Sequence, residues 1–294
     1  MRTILLLSLT ASLCFGQLKG VVDIHVHTDP DSMARKIDIL EVARLAKEEG
    51  MRAMVIKNHY ESTAQQAYLI SKLFPGLEVY SALVLNRSVG GLNPEAIAHA
   101  LGTKGNSLKI VWMPTFDSEN GVRFNKEKRP FVPVAKNGKL VPEVIEILRI
   151  LAKENVALAT GHSSAAEDML LVREAHKLGV ARIVVKHPLF NVVTMSMAQM
   201  KEAAGLGAFL ELCANQVLPT VPAATAIKIE SYAEAIKAIG AEHFILSSDL
   251  GQPHHPVHTE GWKIFLASLK KQGITDAQID LMARRNPAQL LGLK

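Results

Sequence analysis

The chain has 294 residues, with 33 Lys and Arg against 28 Asp and Glu for a formal net charge of +5, and 48% of its residues are apolar. That apolar content, beside 21% charged residues, supports a sizeable buried core and excludes a disordered or collagen-like chain. The charge is mild and its signs alternate, as in Lys126-Glu127-Lys128-Arg129, which argues against a nucleic-acid partner.

Arg2 precedes a short apolar run from Ile4 to Leu13, and Cys14-Phe15-Gly16 sets small residues around a cut after Gly16. This pattern reads as a secretory signal peptide over residues 1–16. It is too short to span a bilayer, which takes about 20 apolar residues, so no stable membrane anchor is expected once it is removed. A periplasmic or secreted location follows. Cys213 is then the only cysteine left, and a disulfide framework is excluded.

Eight β-branched or apolar runs follow: Val21–His27, Ala53–His59, Glu78–Asn86, Leu108–Thr115, Val156–His162, Arg182–His187, Ala208–Asn215 and Phe244–Asp249. Amphipathic segments lie between them, among them Ile37–Glu49, Pro142–Glu154 and Ala165–Leu178, and Gly50, Gly179 and Gly240 supply stop signals. Strand and helix in regular alternation imply parallel strands with crossover helices. Eight such units predict an α/β chain closed into a (β/α)8 TIM barrel. Residues 17–294 are expected to form this barrel as one domain, with an insertion at about 116–140. That insertion carries two Asn-Gly pairs, Pro130 and Pro133, which suggest a small hairpin excursion.

Eleven histidines occur. His25, His27, His59, His162 and His187 fall at the C-terminal ends of predicted strands, and His254, His255 and His258 follow the last one, all on the face where barrel active sites form. Residues two apart in a strand share a face, so His25 and His27 can form a metal-binding pair. Imidazole suits a divalent ion, zinc above others, and His162, His187 and Asp249 can complete the shell. Asp249 can also take a proton from the attacking water, the role expected of the catalytic base.

His-x-His at the first strand, His at the fifth, His at the sixth and Asp at the eighth resembles the amidohydrolase superfamily of metal-dependent hydrolases. The segments DIHVHTDPD, KNHYES, GGLNP and VWMPT are further similar to an uncharacterised bacterial group within it. The resemblance implies one or two divalent ions and a small-molecule substrate. Members with two metals carry a bridging carboxylated Lys or a Glu at the end of the fourth strand, where this chain reads Trp112-Met113-Pro114-Thr115. Lys57, on the same face as His59, can replace it if carboxylated. Alternatively, Lys57 stays unmodified and binds an anionic substrate group beside a single metal.

Among residues for the substrate, His59 can orient the leaving group, and Asn86 and Arg87 can grip a carboxylate. Glu211 and Cys213 share a face of the seventh strand, pointing into the site or, for Glu211, supporting a ligand histidine. Asp23, two residues before His25 and so on its side of the strand, is expected to brace the barrel floor, and His254, His255 and His258 to line the pocket. Gly90-Gly91-Leu92-Asn93-Pro94 lacks the order of a phosphate loop, and no GxSxG elbow occurs. The expected activity is hydrolysis of an amide, cyclic amide, lactone or ester by metal-activated water. Decarboxylation or phosphoester hydrolysis at the same site is the alternative, and a non-catalytic metal- or ligand-binding barrel the non-enzyme reading. Neither the substrate nor the oligomeric state is fixed by the sequence.

Overall fold

The computed structural model describes residues 16–294; apart from Gly16, the expected leader lies outside them. Among the described residues ten strands form, in chain order β1 Val22–Val26, β2 Ala53–Ile56, β3 Glu78–Val84, β4 Leu108–Trp112, β5 Ala135–Lys136, β6 Lys139–Leu140, β7 Ala157–Ala159, β8 Ile183–Val185, β9 Phe209–Cys213 and β10 Phe244–Ser247. Eight of them make one parallel sheet in the order β1-β2-β3-β4-β7-β8-β9-β10, while β5 and β6 pair antiparallel by themselves. The eight predicted strands are all present, each with its polar end released into a loop. Closure comes from the chain just past β10, where His27 N donates to Leu250 O (2.9 Å) and Asp249 N donates to His25 O (2.9 Å). The bonds that close the barrel therefore also bring His25, His27 and Asp249 together. Among the described residues no helix is long and apolar enough to cross a membrane.

The helices start and stop as their ends dictate. Asp38 caps Ile39–Glu48 by accepting from Glu41 N at 2.9 Å, and Ser164 with Glu167 forms a capping box for Ala165–Lys177. Two apolar layers result. One lies between strands and helices; the other, including Val22, Ile24, Val55, Ile110, Trp112 and Ile245, fills the barrel and is floored by Leu290 and Leu291.

Two expectations change here. The pairing of β1 with β2 shifts register between Asp23 and Val26, so strict alternation fails within β1. Asp23 consequently does not share the side of His25. It turns toward the helix His258–Lys271, accepting from Trp262 Nε1 (2.7 Å) and Ser248 N (3.0 Å). The insertion is only half a hairpin: Asn137 and Gly138, at φ 51° and 72°, turn β5 into β6, whereas Asn120-Gly121 belongs to a helix, Glu119–Phe124, capped by Ser118.

Candidate active site

The side chain of Asp249 sits at the centre of a buried cluster. Its Oδ1 lies 3.0 Å from His25 Nε2 and 2.8 Å from His27 Nε2, and its Oδ2 lies 2.9 Å from His187 Nε2. Asp249 and His187 both hold left-handed backbone, at φ 48° and 51°. Non-glycine residues reach that region at a cost and only where the surroundings enforce it, a feature that gathers at functional sites. Behind the cluster, His25 Nδ1 meets Glu211 Oε1 at 2.9 Å, and Ser247 Oγ donates to the same oxygen at 2.7 Å. A carboxylate accepts from Nδ1–H, so Glu211 fixes the tautomer that leaves the His25 Nε2 lone pair facing Asp249.

The residues fit a divalent cation. His25 Nε2, which faces the Asp249 carboxylate, is buried with no hydrogen-bond partner. Donor atoms of His25, His187, Cys213 and Asp249 all lie within 4.8 Å of one another. The protonation states agree as well. Burial pushes the His27 imidazole well below its usual range, and burial with Lys186 nearby brings His187 to about 4. Burial alone would raise Asp249, but His25, Lys186 and the bond from His187 outweigh it and hold the carboxyl well below its usual range. Neutral imidazoles at His27 and His187 beside an ionised Asp249 suit a metal.

Two lysines flank this cluster. Lys57 and Lys186 are both buried, with their Nζ atoms 5.1 and 5.6 Å from the centroid of the Trp112 ring. Trp112 itself, at the end of the fourth strand, packs with its ring centroid 4.7 Å from that of His25. Lys57 Nζ lies 3.2 Å from His59 Nδ1, and that nitrogen is also 2.9 Å from Thr115 Oγ1. Burial, then repulsion from Lys186, pushes the Lys57 amine well below its ordinary value. His162 faces the same space, but its Nε2 is engaged by Lys186 Nζ at 2.7 Å, and like His27 it stands outside the group of four donors that lie within 4.8 Å of one another.

A cavity of about 300 Å³ opens onto these groups, lined by His27, His59, His162, Lys186, His187 and Asp249 and by the apolar Met33, Phe116, Phe190 and Val221. Asn86 and Arg87 do not reach it. The Asn86 amide is used up in the fold, donating to His59 O and Thr115 Oγ1 (2.9 Å each) and accepting from Thr115 N and Asp117 N. Arg87 is exposed in the short helix Arg87–Val89 and borders a separate surface hollow. The late histidines do not line the cavity either. His258 donates toward His27 O and Leu250 O, His255 bonds Thr220, and His254 is exposed. Lys186 is the residue that sequence reading missed. Its signal is a lysine closing an apolar strand, IVVK, just as AMVIK ends on Lys57.

Residues 20–211 match the model of a family of unknown function, DUF6282. The chain belongs to that family. The match stops at Glu211 and so leaves Asp249 beyond it. No curated protein matches the chain. Among solved structures, it is similar to an organophosphorus hydrolase from Deinococcus radiodurans (17% identity, 94% of this chain and 93% of that one, TM-score 0.57). A mutant PTE-like lactonase from the same organism is similar at 18% identity over 94% and 97%, TM-score 0.56. An amidohydrolase from Burkholderia multivorans, solved with bound zinc, is similar at 12% identity over 93% and 99%, TM-score 0.61. The fold that this DUF6282 member adopts is thus the barrel of those hydrolases, as the resemblance read from the sequence implied.

Proposed function

We propose that the protein is a metal-dependent hydrolase that cleaves a carboxylic ester, lactone or amide of a small molecule, using one zinc ion held by His25, His27, His187 and Asp249. The observation that carries this reading is the convergence of three imidazole nitrogens on the Asp249 carboxylate, with Glu211 fixing the His25 tautomer. Zinc in such a site supplies Lewis acidity and brings the pKa of water toward about 7. One ion rather than two is favoured because Trp112 occupies the bridging position and Lys186 engages His162. Lys57 then stays an unmodified amine beside His59 and Trp112.

The chain's own residues do the rest. Asp249, ionised and at the edge of the cavity, accepts the proton of the attacking water and passes it to the leaving group. His59, kept neutral by burial and then by Lys57, borders the cavity beside Thr115 and stabilises the leaving atom. Lactone hydrolysis is the first reaction to test, since one neighbour of the same fold is a PTE-like lactonase. The zinc-loaded chain is assayed against lactones and esters by proton release and against amides by amine release, with phosphate and carbon dioxide followed in parallel. Turnover of a carboxyl derivative, abolished in Asp249→Asn, supports the reading; release of phosphate or carbon dioxide alone replaces it with the phosphoesterase or the decarboxylase. Export belongs to the same proposal, supported by the Ile4–Leu13 run. A mature protein beginning at Gln17 in the periplasmic or culture fraction is the expected result.

A further inference from the structure

The cavity beside Asp249 does not end at the aromatic wall. Met33, Phe116, His162, Phe190 and Thr225 also border a second, outer chamber of about 550 Å³. Tyr60, Phe116, Phe124 and Phe190 give that chamber four aromatic faces. Phe124 comes from the helix of the insertion and is 48% exposed, a large apolar side chain held open to solvent at the chamber's rim. Inside, the charges are uneven. Arg35 also borders the cavity and is ion-paired with Asp31, whose Oδ2 accepts from its Nε at 2.6 Å, although its buried Nη2 has no hydrogen-bond partner. Lys57 does not border the cavity. Lys186 does, and its Nζ has only the neutral acceptor His162 Nε2. Neither lysine forms an ion pair among the described residues. A buried lysine that lines the cavity and has no direct ion pair offers an entering anionic group a charge-assisted contact.

Resting on the hydrolase reading, we propose that the substrate is a carboxylate-bearing carbonyl compound with an apolar, aromatic extension. Lys186 anchors the carboxylate in the inner cavity, and the extension lies among Tyr60, Phe116, Phe124 and Phe190 in the outer one. Both are unreacting parts of the substrate, so the anchor and the chamber set specificity and leave the bond-breaking step to the cluster around Asp249.

Isothermal titration of the zinc-loaded full chain with 4-phenylbutyrate, 4-phenylbutanol and acetate tests this, with zinc content measured on every sample. The acid should bind most tightly of the three. Lys186→Gln should weaken the acid about tenfold or more, as expected for a lost charge-assisted contact, and leave the alcohol within about twofold. Lys186→Arg should restore the acid to near wild-type binding. Phe124→Ala should weaken both phenyl probes and leave acetate unchanged. Equal binding of the acid to wild type and Lys186→Gln, or zinc loss from Lys186→Gln, overturns the anchor. Phenyl probes that bind no better than acetate overturn the chamber. A wild-type chain that holds no zinc defeats the hydrolase reading and this proposal with it, whereas zinc-replete chains that fail the probe comparisons defeat this proposal alone.

Discussion

Replacing Glu211 by Gln probes how the metal site is held without touching a ligand. In the native chain, the Glu211 carboxylate accepts from His25 Nδ1 at 2.9 Å and from Ser247 Oγ at 2.7 Å, all with no solvent exposure. A hydrogen bond to a charged group contributes about 1.5–3 kcal/mol, and a neutral one about 0.5–1.5. Losing the charge should therefore cost roughly 1–2 kcal/mol of His25 orientation. A glutamine that presents its NH2 to Nδ1 adds to this, because the proton is then driven to Nε2 and faces the metal. Zinc affinity should fall about 10- to 100-fold, the range seen when outer partners of metal ligands are removed. Competition with a chromophoric zinc chelator measures the affinity, and circular dichroism on the same sample reports the fold. A folded Glu211→Gln chain with wild-type zinc affinity would refute the argument that Glu211 fixes the His25 tautomer.

Other outcomes follow from the same geometry. Chelation should lower the melting temperature by about 7 °C: zinc at a thousandfold excess over its dissociation constant adds about 4 kcal/mol, against roughly 2.1 cal/mol/K of unfolding entropy per residue over 294 residues. Asp249→Asn should reduce kcat by at least about 100-fold, the usual lower bound for a removed general base, and should also weaken zinc binding in a chelator titration. Gly251→Ala should destabilise the chain by about 1–3 kcal/mol or more in urea unfolding, because Gly251 sits at φ +133° and an added Cβ would overlap the His27 carbonyl oxygen. Arg87→Ala, remote from the cavity, should leave kcat/KM within about twofold of wild type.

The strand ends were legible because a buried parallel strand announces itself as an apolar run, and the histidines closing those runs stand out from them. Closure of the barrel then placed His25, His27, His187 and Asp249 as the spacing implied. Where the reading went astray, tertiary context overrode a local rule. Alternation put Asp23 on the side of His25, but the irregular pairing of β1 sends it to Trp262. Asn86 looked available at a strand end, yet the fold uses both ends of its amide to tie together the loops after β2, β3 and β4. Lys186 does not stand out in this way, because a lysine beside a histidine reads as solvated, whereas the fold buries it against His162 and Trp112. The two chambers and their aromatic walls come from Phe116, Phe124 and Phe190, residues with no spacing in common.

The most direct test of the central claim is metal analysis of the purified chain beside a His25→Ala/His27→Ala variant, with hydrolysis of the panel followed on both. The account predicts about one zinc per wild-type chain, loss of that zinc from the folded variant, and loss of turnover with it. A wild-type chain free of divalent metal, whose activity is unchanged in the double variant, would contradict it.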